Sequence, residues 1–340
     1  MKPLDRIIEA ARQAPRRIVL PEGEDARIVE AAVRAKRDGM AEIILIGNRE
    51  VVDERLRAVG ASADCFRIED PVTSALSERL TAAFHDMRRS KGVDAAAARE
   101  VLRSPLMFAA MMVREGEADG TVGGAVATTA DTVRAALQTI GPARGVRFVS
   151  SFFLMLLCAP HHPKKGAFLF SDCGLVIDPD AAGLADIARM SARSYEALAG
   201  APAKVAMLSF STSGSAAHER VAKVVEATQL VRKANPELVI DGELQFDSAF
   251  VEAVCAAKAP NSEVHGSANV FVFPNLDAAN IGYKIAERIG GATAVGPILQ
   301  GLAKPANDLS RGCTADDVYH MIAVTVVQAH QIGLSAGFAG

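Results

Sequence analysis

Several features that would announce a function are scarce in this chain. Basic charge is not in excess: 37 Lys and Arg stand against 40 Asp and Glu, for a net charge of −3. Without a basic field there is no footprint for sequence-blind binding to a phosphate backbone, so nucleic acid is not an expected partner. The five cysteines, Cys65, Cys158, Cys173, Cys255 and Cys313, are odd in number and form no Cys-x-x-Cys pair. They read as free thiols in a reducing compartment, not as a disulfide framework or a zinc knuckle. The most apolar run, Phe152 to Ala159, is eight residues long, far below the ~20 that a helix needs to cross a bilayer. The opening MKPLDRIIEAARQAPRR scatters charges among its apolar positions and lacks the apolar core of an export signal. A soluble, cytoplasmic protein with no membrane partner is expected.

Apolar material is plentiful. Half of the 340 residues are hydrophobic and 23% are charged, which suits a packed core and, at this length, two domains. Short β-branched runs alternate with Ala-rich amphipathic stretches. Arg17–Leu20 precedes a helix over Asp25–Lys36 whose Ile28, Val29, Ala32 and Val33 share one face. Glu42–Gly47 reads as a second strand, with Asn48 as a cap for the helix after it. Further strands are expected at 120–122, 152–159, 167–170, 204–209, 238–240, 269–273 and 292–295, and further helices at 181–199, 216–234, 248–257 and 278–289. Continuously apolar strands separated by helices are the pattern of a parallel sheet buried on both faces, so the fold class is α/β. The Ala159–Gly166 segment suits a hairpin. Chain breaks are placed near Gly141–Gly145 and at Gly296-Pro297.

Four polar segments follow strands, where open α/β sheets bind ligands. Asp119–Arg134 carries Gly123, Gly124, Thr128 and Thr129 before a helix with Arg134 in its first turn. It reads either as a cradle of amides, hydroxyls and a guanidinium for an anion or as a tight turn with an Asp cap and a surface arginine. Leu208–Ser215 is a Ser/Thr/Gly loop without the Gly-Lys-Ser/Thr of a nucleotide triphosphatase. It suits a helix-capping loop. Ile240–Asp247 offers Asp241, Glu243 and Asp247 as oxygen ligands, but no further donor completes a metal site, and Asp247 stands where a cap belongs. Gln300–Asp317 is the most unusual, a long polar stretch holding Lys304, Asn307, Asp308, Ser310, Arg311, Cys313 and Asp317 before a helix over Val318–Gln328. Thr314–Asp317 resembles a capping box with Asp in the Glu/Gln position. Cys313 is a candidate nucleophile, close to Arg311 and to a helix start that lower a thiol pKa. The seven histidines form no ligand pair.

Taken in this order, these segments resemble the phosphate acetyl/butyryl transferases. The resemblance runs from Arg17–Asp25 through Ala118–Gly124, Phe170–Gly174, Lys204–Ser209, Asp241–Gln245, Ala268–Leu276 and Gln300–Pro305 to Asn307–Cys313. The pairing of Asp-Gly-Glu-Leu-Gln with Asn-Asp-Leu-Ser-Arg-Gly-Cys is its most specific part. It implies reversible transfer of an acetyl group between CoA and phosphate, with CoA, acetyl phosphate and phosphate as the partners. It also implies a homodimer without a resident prosthetic group or metal. Two α/β domains with mainly parallel sheets follow from it, residues 1–145 plus 297–340 and residues 146–296, with the active site in the cleft between them.

Residue by residue, the resemblance carries catalytic roles to Ser310, Arg311 and Asp317. It carries substrate binding to Arg134 and to Arg88, whose surrounding motif is looser, and Thr128 and Thr129 join them from the Gly-rich loop. Each role has a physical reason. A thiol with a pKa near 8.5 is mostly protonated at neutral pH, and a carboxylate poised beside it takes the proton as attack begins. Asp317 is the candidate base, a role that burial would sharpen by raising its pKa. Arg311, Arg134 and Arg88 suit the phosphate and the developing oxyanion, and Ser310 can hydrogen-bond the thiol or the tetrahedral intermediate. Direct transfer in a ternary complex is expected, which makes Cys313 dispensable. The alternatives are a butyryl donor, a metal- and NAD(P)-dependent decarboxylating dehydrogenase of similar architecture, and a non-catalytic sensor of acyl-CoA or acetyl phosphate.

Overall fold

The computed structural model describes residues 2–337. It divides into two compact units, one made of residues 4–145 and 302–337, the other of residues 146–301 with residues 2–3. The first unit opens with α1 (Pro3–Gln13), β1 (Arg16–Leu20), α2 (Ala26–Arg37), β2 (Ala41–Ile46), α3 (Arg49–Ala58) and β3 (Arg67–Glu69). It continues through α4 (Ser77–Arg88), α5 (Ala95–Val101), α6 (Pro105–Arg114), β4 (Gly120–Gly123) and α7 (Thr129–Thr139). The second unit holds β5 (Ser150–Leu157), β6 (Gly166–Ser171), α8 (Ala181–Ala199), β7 (Lys204–Leu208), α9 (Glu219–Ala234), β8 (Val239–Leu244), α10 (Phe246–Phe250), α11 (Glu252–Lys258), β9 (Val270–Val272), α12 (Leu276–Arg288) and β10 (Thr293–Gln300). The chain then returns to the first unit with β11 (Ala306–Asp308) and α13 (Ala315–Gly337).

In the first unit five strands lie in the order β11-β4-β1-β2-β3, with every pair parallel. Ile18, Val19 and Leu20 are fully buried, as central strands covered on both faces must be. The helix α2 buries Ile28, Val29, Ala31, Ala32 and Ala35, takes Asp25 as its N-cap and ends in Arg34, Lys36 and Arg37, which suit the negative end of its dipole. Asn48 caps α3 as expected, accepting from the amides of Glu50 and Val51. The second unit has six strands in the order β10-β5-β6-β9-β7-β8; β10, β5 and β6 pair antiparallel and the others parallel. The β5–β6 connection is the hairpin expected at 159–166.

Several sequence-based boundaries move, each for a local reason. The break placed at Gly296-Pro297 falls inside β10, which pairs with β5 on both sides of a register shift between Val295 and Ile298. Pro297 has no N–H to give the ladder, so the strand slips there instead of ending. The helix expected from Ala216 starts at Glu219, because the His218 ring accepts the Arg220 amide as its cap. The helix expected over 248–257 is two short ones separated at Val251, whose backbone is extended. The strand expected at 238–240 runs on through Asp241, Gly242 and Glu243 to Leu244, and the polar stretch after residue 300 contains β11.

Asn307 shows why β11 forms in so polar a segment. Its fully buried amide donates to Thr325 Oγ1 at 2.9 Å and to Gln328 Oε1 at 2.7 Å, fastening the strand to α13. Replacing it with leucine removes both bonds to α13 and should lower stability by about 1–3 kcal/mol, read as a lower urea midpoint by circular dichroism.

Candidate active site

Three neighbouring parallel strands of the first unit, β1, β4 and β11, each end in a loop that opens a helix. These are the Pro21–Asp25, Gly124–Thr128 and Leu309–Thr314 loops. The first two are joined by one carboxylate. Glu22 Oε2 accepts the amides of Gly124 and Ala125 at 3.0 and 2.7 Å, and Oε1 those of Val126 and Ala127 at 3.0 and 2.8 Å. The amide cradle open to an external anion on the sequence reading is thus occupied by the protein's own side chain.

Arg27, at the start of α2, joins all three loops. Its Nη1 donates to the carbonyls of Arg311 and Cys313 at 2.8 and 3.0 Å, and its Nη2 to the Ala125 carbonyl at 2.8 Å. Asp25 pairs with the same guanidinium at 2.8 Å, and this bond holds the Asp25 carboxyl below its ordinary range. Neither Glu22 nor Arg27 was singled out from sequence. A glutamate and an arginine in a turn carry no spacing signal, because their partners lie about a hundred and nearly three hundred residues away.

The third loop presents the residues of the Asn-Asp-Leu-Ser-Arg-Gly-Cys motif. Ser310 and Arg311 are exposed, and Ser310 Oγ accepts the Gly312 amide at 3.3 Å. Asp317 is exposed in the first turn of α13. Its Oδ2 accepts both the amide and the hydroxyl of Thr314 at 2.8 Å, while its own amide donates to Thr314 Oγ1 at 3.2 Å. This is the reciprocal capping box seen in the sequence; the burial that would sharpen Asp317 as a base is absent. Cys313 departs from the sequence reading. The cation beside it is Arg27, at 3.8 Å from Sγ, and not Arg311. Burial raises the thiol pKa above its ordinary value, with Asp317, Asp25 and Glu22 pushing the same way and only Arg27 opposing. A thiol kept protonated is a poor nucleophile.

On the second loop, Thr128 is the N-cap of α7. Its hydroxyl donates to Asp131 Oδ2 at 2.7 Å and accepts the Asp131 amide at 3.2 Å, so the cap is Thr128 and not an aspartate. Arg134 pairs with Asp131 at 2.5 Å, both half exposed. Exposed pairs are worth at most about 1 kcal/mol, so this guanidinium is easily released to an anion. Thr129 is exposed beside them. Arg88 stands apart at the end of α4, half-buried, with its Nε enclosed and unpartnered; among the described residues no hydrogen bond or ion pair links it to the three loops. Of the remaining polar candidates, Lys304 caps the end of α6 by donating to the Val113 carbonyl at 2.7 Å, and Asp241 pairs with Arg232 at 2.8 Å. Asp247 pairs with Lys258 from within α10, after the Gln245 cap.

Asp308, the last residue of β11, is fully buried against Gly124, whose φ of +104° and closeness to Asp308 Oδ1 leave no room for a side chain. Neither carboxyl oxygen has a hydrogen-bond partner, although the hydroxyls of Thr129 and Thr132 lie near enough to draw its pKa down. Burial dominates and, with the Glu22 charge adding, raises the pKa from 3.8 to about 6.

The chain belongs to the phosphate acetyl/butaryl transferase family, whose pattern matches residues 3–326. It is 53% identical over 328 residues to a phosphate acetyltransferase of Paracoccus denitrificans, covering 96% of this chain and 99% of that one. It is 46% identical over 331 residues to a phosphate acetyltransferase of Acetivibrio thermocellus, with 97% and 98% covered. Among solved structures it superposes on a phosphotransacetylase from Streptococcus pyogenes with a TM-score of 0.92 at 43% identity, covering 97% and 98% of the two chains.

Two stability predictions follow from the carboxyls. Glu22→Gln turns one of two acceptor oxygens into a donor facing amide N–H groups, and should cost about 1.5–3 kcal/mol in chemical denaturation. Asp308 binds its proton more tightly folded than unfolded. Its contribution is therefore fully present below the ordinary carboxyl pKa and is lost as pH rises to about 6. Asp308→Asn, which cannot ionise, should therefore gain on the parent between acid and neutral pH, by about 3 kcal/mol over the whole shift. Parallel urea titrations at both pH values check this.

Proposed function

We propose that this chain catalyses the reversible transfer of an acetyl group between CoA and phosphate, through direct attack of the CoA thiolate on acetyl phosphate in a ternary complex. The observation that carries the reading is the third loop and the helix start it opens, where Ser310, Arg311 and Asp317 stand exposed while Arg27 holds the loop backbone in place. Asp317 takes the thiol proton, a role typically worth ~10²–10⁴-fold. Negative charge then grows on the carbonyl oxygen and the departing phosphate, where Arg311 and the readily released Arg134 stabilise it and Ser310 donates a hydrogen bond. Thr129 is the hydroxyl of the second loop available to the phosphoryl group, since Thr128 is spent on its cap. Arg88 is the outlying phosphate contact. Because the thiolate is itself the nucleophile, neither a resident cofactor nor Cys313 has a step to perform. Acetyl is favoured over butyryl because the relatives at 53% and 46% identity bear the acetyl name.

The reading carries a homodimer in the cytoplasm. Free cysteines suit a reducing compartment. On α12, Ile281 and Ile285 are 59% and 53% exposed, and Ile289, the C-cap one turn on, is 84% exposed, an apolar stripe suited to a second copy of the chain. Ile285→Glu should shift the mass in light scattering from dimer to monomer; a monomeric parent would overturn this part.

The central test is acetyl-CoA formation from acetyl phosphate and CoA, with butyryl phosphate alongside. Asp317→Asn keeps a side-chain carbonyl for the Thr314 bonds, so a fall of about 10²–10⁴-fold in kcat would report the lost carboxylate. Cys313→Ala should stay within a few-fold of the parent. Ping-pong kinetics, or an acetylated Cys313, would overturn direct transfer.

A further inference from the structure

Among the described residues, the buried carboxylates take hydrogen bonds from donors around them, with one exception. Asp172 takes five hydrogen bonds, from the hydroxyls of Ser150 and Ser151 and the amides of Ser151, Gly174 and Leu175. Glu243 takes the Ser211 hydroxyl and the Gly214 amide, both at 2.8 Å, and the partly buried Glu22 takes its four amides. Among the described residues, Asp308 is the only carboxyl group with both oxygens buried and unpartnered. A carboxylate meant to be charged in that position would cost far more without donors than with them. A protonated carboxyl, by contrast, has an O–H to give.

Its neighbours narrow what can receive that proton. From β4 it meets the backbone of Gly123 and Gly124; from its own chain, the Leu309 amide, which donates to the Gly123 carbonyl at 2.7 Å. From the β1–α2 loop it faces the charge of Glu22. From α7 it faces Thr129 and Thr132, while Asp131 and Arg134 on that helix pair with each other; on α13, Asp316 is bound to Arg34 and Asp317 to Thr314. Thr132 is buried and directs its hydroxyl at the Thr128 carbonyl at 3.3 Å. Thr129 is exposed, and its hydroxyl is near enough to the enclosed acid to act on it.

We propose that Asp308 is a positioning residue that acts as a protonated acid: it donates its O–H to the Thr129 hydroxyl, which leaves the single proton of that hydroxyl pointing outward to a phosphoryl oxygen of the acyl phosphate. A hydroxyl has one proton and two lone pairs, so the direction of the bond decides what Thr129 can offer. Ionised Asp308 would accept the Thr129 proton, turn the donor inward, and set a second negative charge opposite Glu22. No proton is consumed over a turnover. The inference rests on the acyl-phosphate reading of the site.

The test is the KM for acetyl phosphate at saturating CoA, followed between about pH 5.5 and 7.5 for the parent, Asp308→Asn, Thr129→Val and Thr129→Ser. If only the protonated form binds well, the apparent KM of the parent rises by about 25-fold across that interval. Asp308→Asn donates an amide hydrogen at every pH and should flatten the slope, and Thr129→Val should raise KM and flatten it, while Thr129→Ser should keep it. A parent KM that does not move with pH, or a slope that survives in Asp308→Asn, overturns the proposal and leaves the transfer reaction intact. Should Asp308→Asn fail to fold, a slope surviving in Thr129→Val, altered on an exposed position, overturns it equally. Absence of transfer by folded parent protein at every pH would remove the acyl-phosphate reading, and this inference with it.

Discussion

The carboxylate of Glu22 is the contact on which the arrangement of the site depends. Four consecutive amides, from Gly124 to Ala127, converge on its two oxygens. Amides aimed into one concavity at a helix start are costly to leave unpaired and favour negative charge. Because the charge comes from the neighbouring strand's loop, satisfying it also locks two loops together. Arg27 then performs the complementary task with a cation, collecting carbonyls from the second and third loops. The result is a set of turns whose backbone geometry is decided before any ligand arrives, which is the condition for electrostatic stabilisation without reorganisation.

The same solution recurs in the other unit. Glu243 sits inside the Ser211–Ser215 loop, and Asp172 inside the turn before Leu175. The first of these, Ser211–Ser215, looks as a string of Ser, Thr and Gly like a place for a phosphate. In each, an internal carboxylate already holds the donors. The proposed transfer reaction therefore assigns phosphate to side chains on the rim, the guanidiniums of Arg311 and Arg134, and not to the backbone cradles. Loops of this composition are poor predictors of an anion site unless the carboxylates near them are known.

Much of the fold was legible because the cause was local. Asn48, Asp25 and the Thr314–Asp317 pair declare helix starts within four residues, and the apolar strands declare burial on both faces. The motif around Ser310 and Arg311 was readable for another reason, as a string of unusual residues resembling a family. What escaped depends on contacts across the sequence. β11 is three residues long and polar, and becomes a strand only because β4 and α13 await it. Cys313 has an arginine two residues away, yet the cation at its sulfur is Arg27. The role of Pro297 as a slip within β10, and not a domain break, is likewise visible only from β5.

That late strand bears on how the protein is made. β4 leaves the ribosome with one edge paired to β1 and the other open until β11 is synthesised, with an entire second unit in between. At common translation speeds the wait is roughly 10 to 40 seconds. Through that interval the nascent first half carries an unpaired, glycine-rich strand edge and a missing helical cover, while the 146–301 segment already has everything its own sheet needs. The order of completion in the cell therefore inverts the order of the sequence. The interrupted half is the one that needs protection from neighbouring chains while its last strand is still being made.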